Sequence, residues 1–138
     1  MVEGMVIIPA IVMGILIGLV ELFFVKLDEG AMGMTWLIHG LHALPFAVLF
    51  VFVSMNVSFV LGLINIAVTG SSAVELGVRI VVALIAMMKI AGAAAIAPGA
   101  KGVGEKLPHT FIIGALIFAA PYIWEFVLAG IIGPYIPF

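Results

Sequence analysis

Four ionisable side chains lie inside long apolar stretches of this sequence, and they are the residues most able to do chemistry. Arg79 and Lys89 lie in a hydrophobic run over residues 73–97. Glu21 and Glu125 lie in two other runs. A charge in the hydrocarbon core of a bilayer is costly and is rarely found there without a partner or a wet cavity. We therefore expect each cation to meet a carboxylate, either to clamp helices together or to line a path for a solute.

The expected depths of these charges predict which of them pair. With each span centred in the bilayer at about 1.5 Å per residue, Glu21 lies roughly 9 Å and Lys89 about 5 Å from the midplane toward one side. Arg79 lies roughly 10 Å and Glu125 about 7 Å toward the other side, which holds both termini. Matched depths predict the intramembrane charge pairs Glu21–Lys89 and Arg79–Glu125.

The composition is that of a membrane protein. The 138 residues are 66% hydrophobic and 9% charged, whereas a soluble domain is about 45–50% apolar and roughly a quarter charged. The absence of cysteine excludes disulfides and thiolate metal ligands. The net charge is -2 and there is no basic run, so we expect no nucleic-acid partner.

Four hydrophobic stretches are each long enough to cross a bilayer core, which takes about 20 residues. They lie at about residues 5–25, 45–68, 73–97 and 109–132. The short links predict an up-and-down order. The sequence therefore predicts an all-α integral membrane protein, a bundle of four transmembrane helices forming one domain over residues 1–138. We expect a short interfacial or kinked helix, bent near Pro45, before the second span; a re-entrant piece around residues 57–68 is the alternative.

Small residues in the first span predict close packing. Gly14 and Gly18 form a GxxxG pattern, and Glu21 follows on the same helical face. This spacing predicts packing against a neighbouring helix of the same chain, which would turn Glu21 away from lipid. Self-dimerisation through GxxxG is the alternative.

Polar and proline residues in the other spans mark candidate path residues. Asn56 and Tyr122 are the polar candidates, and the bland interpretation of Asn56 is a hydrogen bond between helices. Pro121 should bend the fourth span and free the carbonyl of Ile117, because proline has no N–H. Ser72 and Glu75 form a capping-box pattern, so Glu75 is interpreted as a helix cap and left out of the candidates.

The histidines raise the question of a metal. His39, His42 and His109 all fall on the side toward which Glu21 points, and imidazole is a common ligand of zinc, copper and haem iron. These three histidines together with Glu21 therefore define a candidate metal or haem site. The alternative is that each histidine hydrogen-bonds at the membrane interface, since HxxH alone is common.

Three function hypotheses follow. The first is an oligomeric channel or transporter for an ion, proton or small solute. The second is an accessory subunit of a larger membrane complex, with the charges acting as clamps. The third is a metal- or haem-binding subunit of a membrane redox enzyme. No nucleophile–base arrangement indicates that the chain is catalytic on its own.

The expected partners are the lipid bilayer and either further copies or other membrane subunits, because four helices enclose little more than their own side chains. Lys26, Lys101 and Lys106 lie in links on one side, so the positive-inside rule predicts a cell-membrane protein with these links in the cytoplasm and both termini outside.

Overall fold

The computed structural model describes residues 5–29, 35–66, 71–96 and 106–136, and all regular structure in these ranges is helical. The elements are helices α1 (Ile7–Glu29), α2 (Thr35–Met55), α3 (Val57–Leu63), α4 (Ser72–Ile96) and α5 (Leu107–Ile123), followed by a π-helical turn (Trp124–Leu128), α6 (Ala129–Ile132) and a 3-10 turn (Gly133–Tyr135). The prediction of an all-α protein is confirmed.

Two helices are long and apolar enough to cross a membrane, Ile7–Asp28 and the continuous run Leu107–Tyr135. The bent pair of α2 and α3 could form a third span. These helices indicate a membrane protein. The predicted bundle of four spans is not confirmed, and α4, which carries Glu75, Arg79 and Lys89, is not among the apolar candidates.

The break in the second hydrophobic stretch lies at Asn56 and not near Pro45. Helix α2 continues through Pro45, and α3 leaves it at an angle of 92°. The short helix, α3, therefore follows the long helix α2 and does not precede it. Helix α3 lies at the start of residues 57–68, the stretch that the alternative prediction gave as a re-entrant piece. The side chain of Asn56 donates to the carbonyl of Phe52 at 2.9 Å, a local hydrogen bond of the kind that makes asparagine unfavourable inside helices.

Helices α1 and α2 pack through the GxxxG face. A Cβ atom added to Gly14 would lie 2.6 Å from Cα of Val48, and one added to Gly18 would lie 3.2 Å from Cγ of Leu44. Only glycine allows this approach at Gly14, so the prediction of packing within one chain is confirmed. Glu21, on the same face, is 4% exposed, as predicted.

The apolar core lies between α1, α2, α4 and α5. It includes Met13, Ile17, Val51, Val82, Ala86, Ile113 and Ile117. Helices α4 and α5 also approach closely, since a Cβ atom on Gly114 would lie 2.5 Å from Cγ of Met87. This core packs α2 against α4 and α5, and α3 contacts α4.

Candidate functional site

The helix break leaves a backbone carbonyl that a side chain from another helix binds. In a continuous helix the carbonyl of Ser54 would accept a hydrogen bond from the amide four residues later. The chain breaks at Asn56, and Nε of Arg79 donates to the Ser54 carbonyl at 3.0 Å. A guanidinium from α4 therefore compensates for the interrupted helix.

The other nitrogens of Arg79 bind two further groups. Nη2 lies 3.3 Å from Oε2 of Glu75, and Nη1 donates to the hydroxyl of Tyr122 at 3.3 Å. The hydroxyl of Ser58 donates to Oε1 of Glu75 at 2.7 Å. We call Ser54, Ser58, Glu75, Arg79 and Tyr122 the break cluster. The Arg79 and Glu75 side chains are 14% and 29% exposed, so the cluster opens to the surface.

A second backbone defect meets the first at Ser54. The hydroxyl of Ser54 donates to the carbonyl of Ile117 at 2.7 Å. This is the carbonyl that Pro121 leaves without its helical donor, so the prediction that it is free for another partner is confirmed. Helix α5 continues through Pro121 and then widens into the π-helical turn. Ser54 thus connects the break after α2 to the proline of α5.

Asn56 anchors the residue before α1. Its side chain is 3% exposed. Its Oδ1 accepts from the amide of Val6 at 2.7 Å, and its Nδ2 donates to the carbonyl of Val6 at 3.2 Å. The amides at a helix start have no intrahelical acceptor, and Asn56 supplies one. Asn56 therefore makes a hydrogen bond between segments, which was the bland interpretation.

Of the two predicted charge pairs, Arg79–Glu125 is not formed in the structure, and Glu21–Lys89 stays a prediction. Glu21 is buried, and Nζ of Lys89 lies 3.3 Å from the ring centroid of Phe46. Arg79, in contrast, pairs with Glu75 rather than with Glu125. The Glu125 side chain is exposed on the π-helical turn.

Sequence reasoning missed Glu75 because the capping-box pattern gave it another role. Helix α4 begins at Ser72, and the Glu75 carboxylate contacts Ser58 and Arg79. The spacing of four residues between Glu75 and Arg79 is itself a helical ion-pair signal. That spacing could have identified the pair from the sequence.

The end of α1 holds a second polar contact that the sequence did not indicate. Asp28, whose side chain is fully covered, accepts at Oδ2 from the Lys106 amide at 2.9 Å and lies 2.7 Å from Nδ1 of His109. The His109 ring stacks on Phe24 with centroids 4.3 Å apart. Helix α5 has no capping side chain of its own at Lys106, so Asp28 supplies the anion at its N-terminus. The sequence has no capping side chain at the start of α5, and this absence was the signal that another residue would supply the cap.

The structure describes only part of the predicted histidine site. His109 contacts Asp28, and His42 is exposed on α2, while the side chain of His39 lies outside the described part of the chain. Among the described residues, no three His, Asp or Glu side chains form a group that could hold a metal ion. The metal and haem hypotheses stay predictions.

Comparison of the chain with protein-family models, with curated proteins and with solved structures finds no match. The break cluster itself places a guanidinium, a carboxylate and hydroxyl groups beside non-helical backbone. Such a set can bind an ion or a polar solute, because the guanidinium attracts an anionic group and the carboxylate a cationic one.

Proposed function

We propose that this chain is a subunit of an oligomeric membrane channel or transporter for an ion, proton or small polar solute, whose path passes the break cluster. The interrupted α2–α3 pair, with Arg79 bound to its free carbonyl, carries the proposal. Non-helical backbone at membrane depth occurs where protein covers it or where it lines a water-filled cavity. Discontinuous helices form the ion and substrate sites of many transporters.

In this proposal the chain crosses the membrane four times, through α1, the α2–α3 pair, α4 and the run from α5 to the 3-10 turn. The termini lie outside and the lysine-bearing links lie in the cytoplasm. The core of the described helices is mostly apolar, so in this proposal a polar path requires contact between copies or with other subunits. Glu21 and Lys89 hold the helices beside this path.

The partial exposure of the Arg79–Glu75 pair supports a binding role. The two side chains are 14% and 29% exposed, so in this proposal water in the path reaches and screens the pair. A charged solute in that path can then replace one member of the pair. An anionic group would take the place of Glu75 on Arg79, and a cation would take the place of Arg79 on Glu75.

Flux measurements on purified chain in lipid vesicles test the proposal. The wild type should conduct or exchange at least one of H⁺, K⁺ and Cl⁻. Glu75→Gln, which removes the charge and keeps a polar side chain, should change that flux at least about tenfold, the effect of about 1.4 kcal/mol on a barrier. The matched control is Glu3→Gln, the same chemical change before the first helix. Equal flux in wild type and Glu75→Gln would contradict a path through the break cluster.

A second candidate is an accessory subunit in which the charges only clamp helices. The closed set of contacts favours it, because Ser54, Ser58, Glu75 and Tyr122 each have a partner within the chain. It predicts that Glu75→Gln vesicles show no flux, as do wild-type vesicles. It also predicts that native mass spectrometry of mildly extracted protein shows other subunits bound to this chain.

A further inference from the structure

Glu125 is a carboxylate on an outward-facing apolar surface. It is exposed within the candidate span Leu107–Tyr135, and its neighbours Phe126 and Val127 are 77% and 53% exposed. Across the described ranges no hydrogen bond or ion pair reaches Glu125. A carboxylate facing lipid inside a span is costly. This position therefore requires a covering partner that the single chain does not supply.

Glu125 is the last member of a row along α5. Phe111, Phe118, Tyr122 and Glu125 are separated by seven, four and three residues, the spacing of one helical face. Next to this row, α4 and α5 enclose an open apolar groove of about 260 Å³, lined by Ile80, Leu84, Met87, Phe111 and Phe118 among others. We call the row and the groove, with Arg79 at the end beside Tyr122, the α4–α5 face.

We propose that the α4–α5 face binds a second copy of this chain, with Glu125 of each copy against Arg79 of the partner subunit. This inference rests on the proposed function only in that both require an oligomer. Copies inserted in the same direction are related by an axis along the membrane normal, so a residue meets partner residues at its own depth. Glu125 must therefore find a cation at its own level of the membrane.

Arg79 is the described cation at that level. Its Nη1 contacts the hydroxyl of Tyr122, which lies one helical turn from Glu125. Lys89 lies ten residues farther along α4, about 15 Å away, and Lys106 precedes the opposite end of α5. Charge complementarity at matched depth thus selects Arg79 of a second copy, and a two-fold axis makes the contact reciprocal.

Two further observations agree with this arrangement. Arg79 has N–H donors that its contacts within the chain do not use, and the GxxxG face is already covered within the chain. A guanidinium has five N–H donors, and contacts to Ser54, Tyr122 and Glu75 engage one hydrogen on each nitrogen. The two remaining hydrogens can bind a carboxylate. Gly14 and Gly18 are covered by α2 within the chain, so they do not offer an alternative contact between copies.

Energy transfer between labelled full-length chains in vesicles, over a range of protein-to-lipid ratios, measures the association. We expect Glu125→Lys to raise the dissociation constant at least about tenfold, because a lysine would face Arg79 of the partner subunit. Val127→Lys, the same new charge on another side of the helix, should leave it within twofold of the wild type. Glu125→Gln should give an intermediate effect.

Cross-linking locates the contact independently. The chain has no cysteine, so Phe118→Cys on the α4–α5 face should form a disulfide-linked dimer on oxidation, and Ile15→Cys on the outer surface of α1 should not. If Glu125→Lys does not accumulate, Glu125→Gln and the cysteine variants still decide the question. Unchanged association in Glu125→Lys, or cross-linking at Ile15→Cys alone, would overturn the interface.

Flux on the same preparations separates this interface from the proposed function. Retained flux with association unaffected by Glu125→Lys would refute the interface alone. If Glu125→Lys weakens association as expected but the wild type shows no flux, the interface is supported and the transport proposal is refuted.

Discussion

The two charged regions of this molecule are built in opposite ways. Around Glu21 the helices are continuous and pack through glycine, and Glu21 is 4% exposed. In the break cluster the backbone is interrupted, and Arg79 replaces a missing helical hydrogen bond. The Glu21 region packs intact helices against one another, whereas the break cluster surrounds the point where α2 ends. In our proposal, the same residue types contribute mainly to stability in the Glu21 region and are available to a solute in the break cluster.

The largest expected effect is at the buried carboxylate. Glu21→Leu removes the buried carboxylate that we expect to pair with Lys89, and breaking a buried ion pair costs about 3–5 kcal/mol of unfolding free energy. Denaturant unfolding in micelles measures the loss. Exchanging the two charges, Glu21→Lys with Lys89→Glu, should recover most of it. If Glu21→Lys and Lys89→Glu are each tolerated alone, and the double variant recovers no stability, then Glu21 and Lys89 do not form an ion pair.

A smaller effect is expected where the two backbone defects meet. Ser54→Ala removes the donor to the Ile117 carbonyl, a buried acceptor that proline leaves without its helical donor. The expected loss is about 1 kcal/mol, since hydrogen bonds between membrane helices average about 0.6 kcal/mol and a stranded buried acceptor costs more. The same unfolding measurement checks it.

The control for Ser54→Ala is Ser58→Ala, which removes an exposed hydroxyl of the same cluster. It should cost less than Ser54→Ala. If the two variants are equally stable, the carbonyl of Ile117 has another donor and the link between the defects is not needed.

The continuous region was easier to predict than the broken one, for a physical reason. An intact helix rises about 1.5 Å per residue, so sequence position gives depth and helical face, and the spacing of Gly14, Gly18 and Glu21 predicted the buried position of Glu21. The break at Asn56 turns the chain by 92°, so beyond it the residue number no longer gives the depth in the membrane. Ser54 and Ser58, on either side of the break, could therefore not be assigned partners in advance.

Glycine spacing and proline chemistry were readable for the same reason, because both act within one helix. Gly14 and Gly18 predicted a close approach, and Pro121 predicted the free carbonyl of Ile117. The partner of that carbonyl, Ser54, lies 63 residues away. Local rules identify which groups lack a partner, and only the packed structure shows which residue supplies one.

The smallest expected effect on stability is at Glu75, and it sharpens the contrast with Glu21. Glu21 is buried, whereas the Glu75–Arg79 pair is partly exposed and spaced as i, i+4, and such pairs are worth about 0.3–0.5 kcal/mol. Glu75→Gln should therefore unfold almost as the wild type does in micelles, and its amide can still accept from Ser58. A loss as large as that of Glu21→Leu would show that the break cluster holds the fold together, and a change of flux in that variant would then reflect unfolding. A small loss combined with altered flux would assign the Glu75 charge to the solute path, because the helices would be intact when the path changes.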